Sequence, residues 1–333
     1  LKPDLMDVRS NYALALLKHG RFQDGWREYQ TRWQWNGFEK SVPRPFEQPR
    51  WHGENLDGKS ILVWGEQGIG DELMFAGMFP DLIERAKSVS VECDRRLVPV
   101  FERSFPGIKA YARDNPPNPV LTDPAIDYQV PCGDLGAYLR PDLSAFPKHS
   151  GYIKPESNDA ERLREKYRSL GNGAFVVGLS WKSGNQFVGE KRSAEIDLWE
   201  PILTCPGCFF VNLQYGKVKP FLDAFERETG IGIHCDDEVD PLTDMDIFLA
   251  QLAAVDLTIS IDNSTVHAAG ALGRPAWTLL AAAPDWRWLQ NEETSYWYPS
   301  MRLIRQEKLG AWESVFETVG DDLKNLVRQR RSS

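Results

Sequence analysis

The hydrophobic pattern of the chain changes period along its length. Between residues 8 and 35, apolar positions recur at helical spacing. Tyr12, Ala13, Leu16 and Leu17 form one stripe, stopped by Gly20; Phe22, Trp26, Tyr29 and Trp33 form the next. The spacing predicts a helical hairpin within residues 1–38. Residues 39–59 are rich in proline, glycine and charge, which predicts a linker or an extended wrap. From residue 60 the pattern becomes short apolar runs alternating with helical stretches. SILVW, SVSVEC, IKAYA and AIDYQVPC read as buried strands, and a helix from Asp159 to Leu170 closes this half. The pattern restarts with AFVVGLSW at 174–181 and continues through CFFVNLQ, IGIHC, DLTISID and PAWTLLA. Strands separated by helices imply crossover connections and parallel sheets. The expected fold class is therefore α/β, with two Rossmann-like domains at 60–170 and 171–305 facing a cleft. A last helix, within 306–333, is expected to pack back on the first domain.

Composition narrows the class of protein. A chain of 333 residues suits about two domains at roughly 150 residues each. Twelve tryptophans are costly to leave exposed, so they should line a core or a binding cleft. The net charge of -9, with cations clustered only at Arg328, Arg330 and Arg331, argues against nucleic acid as a partner. No apolar run reaches the ~18 residues of a transmembrane helix. The N-terminal stretch lacks the regions of a signal peptide, and the absence of an initial Met suggests a fragment, with a cytoplasmic location expected. Five cysteines, an odd and sparse set, suit a reducing compartment. Cys205 and Cys208 form a lone CxxC that precedes a strand instead of following one, so it reads as a turn with two semi-buried thiols. No metal site is expected.

Candidate chemistry lies where strands end. The first stretch runs from Trp64 to Glu72 and contains Glu66, Gly68, Gly70 and Asp71. Its glycines allow tight turning and close approach to a ligand. It is neither a Walker loop nor a dinucleotide fingerprint, because the lysine and the glycine spacing are missing. Asp71 reads either as a cap of the following helix or as a base for a hydroxyl that loses a proton; Glu66 is a second candidate base. The second stretch, Ser260 to Pro275, again joins a strand to a helix. Asp262 or Asn263 can cap that helix, and the amides and hydroxyls of Ser264 and Thr265 then face an anion, with His267 in the first turn. Lys182, Asn185, Lys191 and Arg192 offer cations and donors after a third strand end. Gln214 follows a fourth strand end and suits a base or ribose. The Asn263-Ser264-Thr265 sequon carries no weight without secretion.

The small-and-aromatic pattern of the hairpin resembles a tetratricopeptide repeat unit. Gly70-Asp71, Lys182 to Asn185, Arg192-Ser193, Leu213-Gln214, Asp262 to His267 and Gly273-Arg274-Pro275 together resemble the heptosyltransferase-like glycosyltransferases. They look closest to the bacterial branch in which tetratricopeptide repeats precede such a domain; Ala283 to Trp288 and Trp297 to Ser300 are also similar to that branch. The resemblance covers about Asn11 to residue 325. It implies a GT-B fold and metal-independent inverting transfer from a nucleoside-diphosphate sugar to a hydroxyl acceptor, which could be a glycan, a lipid-linked molecule or a protein. The nucleotide sugar is then a substrate and no cofactor is implied. Asp71 matches the family's general base. Asp262, Asn263, Ser264 and His267 match donor contacts, and Arg192 or Lys191 matches a cationic donor contact. One departure is Asn263-Ser264, where heptosyltransferases often carry Thr-Gly. The competing expectation is a non-catalytic nucleotide- or protein-binding module whose repeat-like helices recruit partners.

Overall fold

The structure, a computed structural model, describes residues 6–35, 44–184 and 189–331, with the side chains of Glu190 and Lys191 outside the described set. The chain divides into two compact units. One comprises Leu1–Ile153 and Asp285–Glu292, the other Lys154–Pro284 and Glu293–Ser333.

In the first unit four strands form a parallel sheet: β1 Ser60–Trp64, β2 Ser88–Cys93, β3 Ile108–Ala112 and β4 Tyr128–Pro131, in the order β3-β2-β1-β4. Ile61, Leu62, Val63 and Trp64 are all buried, as a central parallel strand covered on both faces requires. The predicted hairpin is present as helices Met6–Lys18 and Phe22–Tyr29, turned at Gly20, whose φ of 72° favours glycine. The helices pack so closely that a Cβ on Gly25 would lie 2.8 Å from Leu17. The pair docks by its aromatic stripe: Trp26 is 1% exposed and its indole N–H donates to the Arg140 carbonyl at 2.9 Å.

The second unit holds a five-stranded parallel sheet: β5 Phe175–Ser180, β6 Cys208–Asn212, β7 Leu257–Ile261, β8 Ala276–Leu280 and β9 Met301–Arg305, in the order β6-β5-β7-β8-β9. Helices Ser157–Leu170 and Met245–Ala254 cover one group of buried side chains, in which Leu163 and Tyr167 meet Val176, Val211 and Ala250.

Four sequence expectations differ from this arrangement. The helix Ser157–Leu170 belongs to the second unit, not the first, because its apolar stripe completes the core beside β5 and β6. The helix Glu313–Arg331 likewise lies in the second unit, where Phe316 packs on Trp199 with ring centroids 5.0 Å apart. The run IGIHC makes only an isolated bridge, His234 to Val211, because Gly232 within it and Gly230 before it supply little to pack. Strand β9 was not anticipated; its MRLIR run carries two arginines that mask the apolar pattern of an edge strand.

No helix among the described residues is long and apolar enough to cross a membrane.

Candidate functional site

In open α/β sheets, ligands bind beyond the carboxyl ends of the strands, at the point where strand order reverses. The first sheet reverses between β1 and β4. The residues after those strands are Gly65 to Gln67 and Cys132 to Asp134. Arg32, from the short 3-10 turn that follows the hairpin, fills this place. It is 0% exposed, pairs with Glu66 at 2.7 Å and with Asp134 at 2.7 Å, and both carboxylate side chains are at most 2% exposed. Burial works against the guanidinium charge, but Glu66 and Asp134 outweigh it and hold its pKa above the ordinary arginine value. Glu66 also accepts the Gly133 amide at 2.9 Å. Glu66 was a candidate base, yet its carboxylate is enclosed and spent on these partners. The geometry gives it a role in shaping the loop.

The same loop opens the helix Ile69–Phe75, and Asp71 occupies its third position. The residue that caps the helix is Gly68. Its amide is accepted by the Asp71 Oδ2 at 3.3 Å, so Asp71 closes the turn from inside the helix. The Asp71 Oδ1 accepts from Arg287, and 20% of the side chain stays exposed. Gly70 is the residue before Asp71 in that first turn, and Gln67 donates to the Tyr29 hydroxyl at 2.6 Å. Glu72, next in sequence, turns inward. It pairs with Arg113 at 3.0 Å and accepts the Asp94 amide at 2.7 Å, and burial, opposed by Arg113, pushes its pKa up to about 7.

The second sheet reverses between β5 and β7, and several of the residues expected to meet a donor lie at its strand ends. Asn263 caps the helix Ser264–Ala271, its Oδ1 accepting the Thr265 amide at 2.9 Å. Of the two candidate caps it is Asn263, because Asp262 is turned to Arg192 at 3.2 Å. The Asn263 Nδ2 reaches across the reversal and donates to the Ser180 Oγ at 2.8 Å and to the Lys182 carbonyl at 3.2 Å. Gln214, after β6, accepts the amides of Trp181 at 3.0 Å and Lys182 at 2.7 Å. The ends of three strands are thereby tied by neutral amides and hydroxyls. A capped helix start keeps the amides of Ser264 and Val266 directed outward, a favourable place for an anion.

Several expectations change in detail. Thr265 is 1% exposed with its hydroxyl buried and unmatched by a partner, so its side chain faces inward. His267 is 7% exposed and its Nδ1 shares a hydrogen bond with the Tyr298 hydroxyl at 2.9 Å. Tyr298 packs so tightly on this helix that a side chain at Gly270 would collide with its ring. The Lys182 ammonium lies out toward Glu195 at 3.5 Å, so only its backbone joins the network. Asn185 lies outside the described residues, as does the side chain of Lys191. Sequence reasoning missed Arg32, Glu72, Ser180, Arg287 and Tyr298. The last two stand in stretches that carried the family resemblance, which was the one signal for them. Among the described residues no group of three or more His, Cys, Asp or Glu could hold a metal ion, and all five cysteines are free.

No family model matches the chain. Protein FlbA of Caulobacter vibrioides is 35% identical over 339 residues, spanning 97% of this chain and 56% of that protein. The chain thus covers little more than half the length of this relative. Among solved structures, a glycosyl transferase family 9 protein of Veillonella parvula matches with a TM-score of 0.60 at 12% identity, covering 83% of this chain and 99% of its own. The ADP-heptose lps heptosyltransferase II of E. coli matches with a TM-score of 0.57 at 15% identity, covering 82% and 99%. The chain is therefore heptosyltransferase-like in fold, with parallel α/β units of the kind that glycosyltransferases carry.

Proposed function

We propose that the chain is a glycosyltransferase that moves a sugar from a nucleoside diphosphate to a hydroxyl acceptor by inverting transfer, without a metal. The second unit takes the donor and the first supplies the base, as in GT-B enzymes. The observation that carries this reading is the strand-end network of Ser180, Lys182, Gln214 and Asn263 around a capped helix start, with Arg192 alongside. Helix amides and one guanidinium offer a diphosphate both hydrogen bonds and charge. Asp71 takes the acceptor proton, the freed oxygen bonds to the anomeric carbon, and the diphosphate leaves with the electron pair. The helical hairpin, with its glycine turn and its close Gly25 contact, is read as a tetratricopeptide-like unit that a protein partner can extend. Five free cysteines and a nucleotide-sugar substrate agree with a cytoplasmic location.

The test is incubation with ADP, UDP, GDP and CDP sugars, following release of the nucleoside diphosphate and transfer to hydroxyl acceptors by mass spectrometry. Turnover with at least one donor is expected, and Asp71→Asn should lower kcat by about 10²- to 10⁴-fold with the fold intact. A second reading, a nucleotide-binding module without turnover, is favoured by Arg287 occupying the Asp71 carboxylate. The same assay separates the two: binding without release or transfer of sugar supports the module.

A further inference from the structure

The segment Asp285–Glu292 follows β8 of the second unit yet belongs to the first. Its residues Asp285, Trp286 and Arg287 form a brace. The Arg287 Nη1 donates to the Asp285 Oδ1 at 2.6 Å, and the guanidinium carbon lies 4.7 Å from the centre of the Trp286 ring. Trp286 in turn meets Trp26 edge-on with centroids 5.3 Å apart, and Tyr29 at 6.0 Å. The Arg287 Nη2 donates to Asp71, whose other carboxylate oxygen holds the Gly68 amide. Arg287 is 11% exposed in its side chain, and its Nε is buried without a partner. Such a guanidinium has lost most of its freedom to swing away.

We propose that Arg287 is the positioning residue of Asp71: it fixes the carboxylate in one rotamer. The inference rests on the reading of Asp71 as the base. One cation faces two carboxylates, Asp71 and Asp285, so the group keeps a net negative charge. When the acceptor proton arrives on Asp71, Arg287 retains Asp285 as its counter-ion and no buried charge is stranded. The aromatic brace makes the hairpin part of the catalytic scaffold, since Trp26 and Tyr29 seat Trp286.

The experiment measures kcat, donor KM and thermal unfolding for the wild type, Arg287→Met, Arg287→Lys, Asp71→Asn, and each Arg287 variant combined with Asp71→Asn. Arg287→Met should lower kcat about 100-fold with KM within about 2-fold, Arg287→Lys should recover about 10-fold of that, and neither should change kcat more than about 2-fold in the Asp71→Asn background. An unchanged kcat, an effect confined to KM, or full multiplication of the losses in the double variants overturns the inference. Should Arg287→Met fail to fold, Arg287→Lys in the two backgrounds gives the same comparison. A wild type that transfers sugar from no donor overturns the enzymatic reading and this inference together. A transferring wild type with multiplicative variants overturns this inference alone.

Discussion

Each sheet reverses strand order beside its first strand, between β1 and β4 in one and β5 and β7 in the other, and the two ends use the resulting space differently. At the end of β1 and β4 the groups are charged and paired: Arg32 with Glu66 and Asp134, Arg113 with Glu72, Arg287 with Asp71. At the end of β5, β6 and β7 they are mostly neutral: Ser180, Gln214, Asn263 and the amides they bind, with Arg192 on Asp262 at the margin. The first arrangement fixes carboxylates rigidly, which suits moving a proton from a set position. The second presents preorganised dipoles and little negative charge, which suits receiving an anion. Two parallel sheets, each with a reversal beside its first strand, carry two electrostatic solutions, and the side chains at the reversal points make the difference.

If that contrast is right, the two ends should break differently. The largest effect is expected at Arg32. Arg32→Met strands Glu66 as a buried carboxylate, leaves Asp134 with Arg50 alone, and should cost about 3–5 kcal/mol of unfolding free energy, read by chemical denaturation. A loss below ~1 kcal/mol would show that water reaches this cluster and that the first end is not the sealed one described.

Asn263→Ala should cost less stability, about 1–2 kcal/mol, because only a helix cap and a neutral bridge are lost. Its effect on nucleoside-diphosphate affinity should be the larger one, since it loosens the join between β5 and β7. Calorimetric titration beside denaturation checks both. A variant that binds as the wild type does would remove the cap from the ligand site.

A pH dependence at Glu72 gives a third test. Its folded pKa of about 7 lies above the ordinary 4.5, so the native state holds that proton more tightly than the unfolded chain does. The associated stability is fully present below pH 4.5 and is lost as pH rises through 7. Glu72→Gln keeps an acceptor for the Asp94 amide and removes the titration. The stability difference between wild type and variant should therefore shift against the wild type from pH 4.5 to 7, a trend that thermal unfolding across that range would show or deny.

Much of this contrast could be read in the sequence, though unevenly. Strand β1 falls where its apolar run predicts, because a strand covered on both faces has no polar positions to blur its ends. The helix cap at the end of the second sheet was legible because it is local: Asn263 caps the helix that begins one residue later. The ion pairs at the end of the first sheet were not, because their partners are distant in the chain. Arg32 and Glu66 are 34 positions apart and Asp71 and Arg287 are 216 apart, and nothing in the period of a sequence encodes such pairings. Glu66 looked available as a base for that reason. The placement of the helix Glu313–Arg331 failed similarly: its stripe of Val315, Phe316, Val319 and Leu323 says that it buries a face but not against which sheet.

The most direct measurement is calorimetric titration of the wild type and Asn263→Asp with ADP, UDP, GDP and CDP. The account predicts that the wild type binds at least one of them. It also predicts that Asn263→Asp, which keeps the helix cap but loses the Nδ2 donor and sets a carboxylate beside the bound diphosphate, weakens binding by about 10-fold or more, beyond the affinity loss of Asn263→Ala, which removes the same donor without adding a charge. Equal affinity in the two proteins, or no nucleoside diphosphate bound by the wild type, would contradict it.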